Sequence, residues 1–164
     1  MVRRLLVRVL AGPYLSYRGR IPSAVLQSRT IALLEKFRNQ VEEMTPEQLD
    51  FHPLAGKWST SEIAFHALRT TRWILRTSDE VRNGKPIPVL ERSAIGTTKQ
   101  VTRSELLTLC QSVIQQTGQF DFAKYTPGIC VHPLLGPLNF KQWLGLNLVH
   151  LERHFQQLQQ IRRS

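Results

Sequence analysis

Four apolar stripes at helical spacing, separated by long proline- and glycine-bearing connections, restrict the fold of this chain more than any other feature. Over residues 23–44, Leu26, Ile31, Leu33, Leu34, Phe37 and Val41 mostly recur at helical period, while Glu35, Lys36, Glu42 and Glu43 fall elsewhere. Thr45-Pro46 ends this stripe, because the residue before a proline is pushed out of helical geometry. The second starts at Ser59 or Thr60, with Glu62 three residues after Ser59 as a reciprocal N-terminal cap requires. It runs through Ile63, His66, Leu68, Trp73 and Leu75 to Asn83-Gly84, a C-terminal stop. Thr102 and Glu105 open the third, which carries Leu106, Leu109, Cys110, Val113 and Phe120. Asn139 caps the fourth, with Trp143, Leu146, His150, His154 and Leu158, ending near Arg162. Nothing reads as a good sheet, so the expected class is all-α.

The connections, roughly 45–58, 84–101 and 121–138, are long for a compact domain. A helix of about 20 residues spans ~30 Å, and an extended return of that length needs at least ~9 residues. The 84–101 segment, with Pro86 and Pro88, is ample, so a four-helix bundle with a crossover between its second and third helices is allowed. His52-Pro53-Leu54-Ala55-Gly56 and His132-Pro133-Leu134-Leu135-Gly136 echo each other before the second and fourth helices, as ordinary Pro and Gly punctuation can do by chance.

A chain of 164 residues suits one domain, and 41% hydrophobic with 21% charged residues argues against disorder. No transmembrane segment is expected, since no run approaches the ~18 apolar residues of a span. The net charge of +10 is unevenly placed: Arg3, Arg4, Arg8, Arg18 and Arg20 precede the first acid, Glu35. The chain therefore divides into a basic N-terminal arm, 1–22, and a domain, 23–164. Arg8 interrupts Leu5 to Ala11, which speaks against a secretory signal. Cys110 and Cys130 stand twenty positions apart without a CxxC pattern, as two reduced thiols of a cytoplasmic protein would.

His150 and His154 sit at i and i+4, one turn apart on one helical face, with Cβ atoms ~5–6 Å apart. Two imidazoles so placed can converge on one cation, although two partly buried histidines bonded to neighbours would explain the pair equally well. Glu152 lies two positions after His150 and points ~200° away from it, which rules out a zinc-protease arrangement and makes Glu152 a solvent-facing charge. His66 is the natural third ligand. Antiparallel packing of its helix on the fourth brings the three histidines level to within ~3–9 Å, against ~7–13 Å for parallel packing. Asn147, Glu62 and Gln142 are the polar neighbours available to orient the rings. His52 and His132, each before a proline, are expected to be exposed or bonded in turns. No Ser–His–Asp or Cys–His set and no glycine-rich phosphate loop stands at suggestive spacing, so a catalytic role would centre on a metal.

Gly56-Lys57-Trp58-Ser59-Thr60-Ser61-Glu62-Ile63-Ala64-Phe65-His66 resembles the opening of the second helix in the DinB/YfiT-like superfamily. The stretch His132 to Leu138, then Gln142-Trp143 and His150-Leu151-Glu152-Arg153-His154-Phe155-Gln156-Gln157-Leu158, resembles that superfamily's C-terminal signature. The resemblance covers about residues 23–162 and leaves out the arm. It implies a four-helix bundle in up-down-down-up order and one divalent metal (Zn, Ni or Fe) on His66, His150 and His154. It also implies an activity of the thiol-dependent transferase or hydrolase kind on a small molecule, such as a low-molecular-weight thiol. Catalytic residues beyond the metal ligands, the substrate itself and the choice between monomer and homodimer stay open. The alternative is a non-enzymatic bundle whose basic arm binds an acidic partner, nucleic acid or anionic membrane. No motif supports specific nucleic-acid readout.

Overall fold

A computed structural model describes residues 20–53, 56–86, 98–124, 130–132 and 135–163. The basic arm therefore lies, except for Arg20, Ile21 and Pro22, outside the described residues. The elements in chain order are α1 (Ser23–Glu43), α2 (Pro46–Asp50), α3 (Thr60–Arg82), α4 (Arg103–Gln119), β1 (Cys130–His132), β2 (Gly136–Leu138) and α5 (Phe140–Arg163). The four long helices agree with the sequence reading to within a residue or two.

Local chemistry explains those boundaries. Ser59 and Glu62 close a reciprocal cap on α3, and Thr102 and Glu105 do the same on α4. At the start of α5, Asn139 N–H donates to Gln142 Oε1 and Gln142 N–H donates back to Asn139 Oδ1, both at 2.9 Å. Each such cap satisfies amides that the first helical turn leaves open and is worth about 1 kcal/mol. Gly84, at φ +83°, ends α3 in the left-handed conformation that glycine adopts without strain.

Helix directions follow from cross-helix contacts. The Gln27 amide near the start of α1 donates to the carbonyls of Thr117, Gly118 and Phe120 at the end of α4. At the opposite end Arg103 donates to the Met44 carbonyl, so α1 and α4 are antiparallel. Phe37 meets Phe155, and Glu43 pairs with Arg162, so α1 and α5 are parallel. His66 meets His154, whereas Trp73 meets Trp143, so α3 and α5 are antiparallel. The order is up-down-down-up. α1 packs on α4 and α5, and α3 packs on the same two, which places α1 and α3 on a diagonal.

The interior holds two apolar clusters. One joins Leu34, Phe37 and Val41 to Ile63, Leu68, Leu106, Cys110, Leu151 and Leu158. The other, toward the start of α5, joins Leu26, Ile74 and Leu75 to Phe122, Phe140, Trp143 and Leu148. Among the described residues no helix is long and apolar enough to cross a membrane.

Three elements fall in segments read as connections. The short α2 forms because Thr45 and Gln48 make a reciprocal cap and Pro46 occupies the first turn. Thr45-Pro46 thus ends α1 and begins α2. β1 and β2 pair as an antiparallel hairpin, with Val131 opposite Pro137 and His132 opposite Gly136.

Candidate metal centre

The three histidines singled out by spacing come together between α3 and α5. His66 is buried; His150 and His154 are half-buried. His150 Nε2 lies 3.0 Å from His66 Nε2 and 3.0 Å from His154 Nε2. The ring pairs meet nearly edge to face, at 68°, 80° and 83°. Each ring offers one ligand atom, and these atoms all lie within 4.8 Å of one another, so the group could hold a metal ion.

The contacts at His150 Nε2 test that fit. A neutral imidazole nitrogen carries either one N–H or one lone pair. It cannot complete a good hydrogen bond to two neighbouring ring nitrogens at once. A cation would resolve the conflict by taking one lone pair from each ring. At metal–nitrogen distances of ~2.0–2.1 Å, adjacent ligand nitrogens lie about 2.9–3.4 Å apart, the range in which both contacts fall. The donor set also suits a cation in its protonation. Burial, then the neighbouring His154, His66 and Arg153, push the His150 imidazole down to about 3. Burial and Arg153 lower His154 as well, against an opposing hydrogen bond from Gln157. Both rings are therefore neutral at pH 7, the form in which a nitrogen lone pair is available to a metal.

Surrounding side chains hold the rings. Trp58 packs on His66 with ring centroids 4.7 Å apart. His154 Nδ1 meets Gln157 Oε1 at 2.7 Å, a partner that the sequence reading did not single out. Its signal was present: Gln157 stands three residues after His154, hence on the same helical face. The polar neighbours that were singled out are engaged elsewhere. Glu62 accepts from Ser59 N–H at 2.7 Å, Gln142 is held in the Asn139 cap, and buried Asn147 accepts from the Thr71 hydroxyl at 3.2 Å. His150 Nδ1 is buried with no hydrogen-bond partner.

The remaining histidines stand apart from the cluster in turn-like bonding. Exposed His52 has Nδ1 2.7 Å from the Lys57 carbonyl. His132 Nδ1 accepts from Leu135 N–H, and its ring lies 5.4 Å from that of Trp143. Glu152, read as a solvent-facing charge, is half-buried.

Fold and cluster together define a four-helix bundle with three convergent histidines on two antiparallel helices. The chain belongs to the DinB superfamily, whose model matches residues 29–158, a span that includes all three histidines. A crystal structure of a proposed DinB-family member from Exiguobacterium sibiricum 255-15 is similar over 86% of this chain and 89% of that one, with TM-score 0.63 and 18% identity. The structure of TT2238, described as a four-helix bundle protein, is similar over 84% and 98%, with TM-score 0.57 and 19% identity. At these identities the likeness is one of fold. No curated protein matches the sequence.

Proposed function

We propose that the chain is a divalent-metal-dependent enzyme. In this reading His66, His150 and His154 hold one cation and leave at least one coordination position for a small-molecule substrate. The reaction is of the thiol-dependent transferase or hydrolase kind, and a low-molecular-weight thiol is the substrate class to test first. The observation that carries the reading is the pair of 3.0 Å contacts that two ring nitrogens make to one nitrogen of His150.

Three imidazole ligands suit Zn, Ni or Fe. When bound, such a cation supplies Lewis acidity, which polarises a carbonyl or stabilises a thiolate. The chain's own residues hold the three rings at fixed spacing, and burial favours the neutral form of His150 and His154. Trp58 covers one side of His66, and the α3–α5 interface takes much of the cluster out of bulk water. The domain in this reading spans 23–164, and the basic arm 1–22 stands outside the metal chemistry.

Elemental analysis of the purified chain tests the reading directly. About one divalent metal per chain is expected, falling to near zero in His66→Ala, His150→Ala and His154→Ala with helix content preserved. Retention of the metal in all three variants would sink the reading. A panel of low-molecular-weight thiols with and without an electrophilic co-substrate is the next measurement.

A further inference from the structure

We infer that Gln157 is the positioning residue of the histidine cluster: its side-chain oxygen accepts the Nδ1–H of His154 and thereby turns the Nε2 lone pair of that ring into the site. The metal half of this inference rests on the proposed function; the tautomer half stands alone.

The geometry carries it. An imidazole can present a lone pair at Nε2 while neutral only if its proton sits on Nδ1, and the proton stays where an acceptor receives it. Gln157 Oε1 is 2.7 Å from His154 Nδ1, and His154 Nε2 faces His150 Nε2 at 3.0 Å. Both ends of the ring are thus accounted for. Gln157 and His154 lie on one helix, three residues apart, so α5 itself fixes their spacing without help from the packing of other elements. His150 differs, because its Nδ1 is buried with no partner. The Glu62, Gln142 and Asn147 side chains already bond elsewhere. Of the two α5 rings, then, His154 is the one whose tautomer is set in advance. A partner of this kind typically carries 10–100-fold in metal affinity.

Two readouts on the full-length chain decide the matter. Long-range nitrogen–proton NMR of the metal-free protein reports which nitrogen of His154 carries the proton. Nδ1–H is expected in the wild type and in Gln157→Glu, which keeps an acceptor. In Gln157→Leu, a good helix former without an acceptor, the population should move toward Nε2–H. Zn2+ titration against a competing chelator should then show a ~10–100-fold loss of affinity in Gln157→Leu and recovery in Gln157→Glu. An Nε2–H tautomer in the wild type overturns the inference, as does zinc binding by Gln157→Leu at wild-type strength. If the wild type binds no zinc, the metal reading fails, and the tautomer measurement still decides the role of Gln157.

Discussion

At the residue scale, Trp58 and Cys110 show how packing sets chemistry. Trp58 is half-buried against His66, so its fluorescence should report on what the histidines hold. Addition of Ni2+ or Co2+ should quench tryptophan emission, and Trp58→Phe should remove most of that quench while leaving stoichiometry unchanged. Cys110 lies fully buried in the core between Leu106 and Val113. Burial pushes its thiol from the ordinary range up to about 12. In a Cys130→Ser background Cys110 should resist thiol reagents in the native state and react promptly after denaturation. The sign of the linkage is definite: a thiol protonated more firmly in the folded state contributes stability below pH ~9 and loses it as pH rises toward ~12. Cys110→Ala should therefore flatten the alkaline fall in stability across that window, as denaturant titration at stepped pH would show.

At the element scale, helix starts carry much of the design. Thr102→Ala removes one half of the α4 cap and should cost about 1 kcal/mol in urea unfolding, with metal content unchanged. The same caps explain what was legible beforehand. Ser59 with Glu62, Thr102 with Glu105 and Asn139 marked three of the four long helices because a cap is a local event written in adjacent residues. The histidine triad was legible for a related reason: i,i+4 spacing fixes His150 and His154 on one face, and cap-to-residue depth selects an antiparallel partner for His66. What escaped depended on shorter or less periodic signals. α2 has five residues, too few to show a period, and Thr45-Pro46 was read only as a terminator. β1 and β2 have three residues each, too short for alternation, and β2 contains Pro137. The partner of His154 escaped because three polar side chains competed for the role, and only the folded structure shows that the other three are already bonded.

At the scale of the whole molecule, the up-down-down-up order places α5 against both α1 and α3, so the last helix closes the core and the histidine cluster together. Phe37, fully buried and packed on Phe155, sits in the larger apolar cluster. Phe37→Ala should destabilise the bundle by roughly 3–5 kcal/mol, the usual cost of deleting an aromatic ring from a close-packed core. On the proposed reading, a bound metal would add a second clamp on the same α3–α5 pair. Zn2+ at a hundredfold excess over its dissociation constant should stabilise the fold by about 2.7 kcal/mol, seen as a raised thermal midpoint. His66→Ala should abolish that rise, and chelator should reverse it in the wild type.

The separation of 84 residues between His66 and His150 has a consequence for how the chain is made. At a ribosomal rate of ~5–20 residues per second, His66 is polymerised roughly 4–17 s before His150. Through that interval α3 can form and present a lone imidazole, but no adjacent hairpin supplies its partners. On the proposed reading, three-point capture of an ion would have to wait until α5 is made and docked, so metallation would be a late event in the life of the chain.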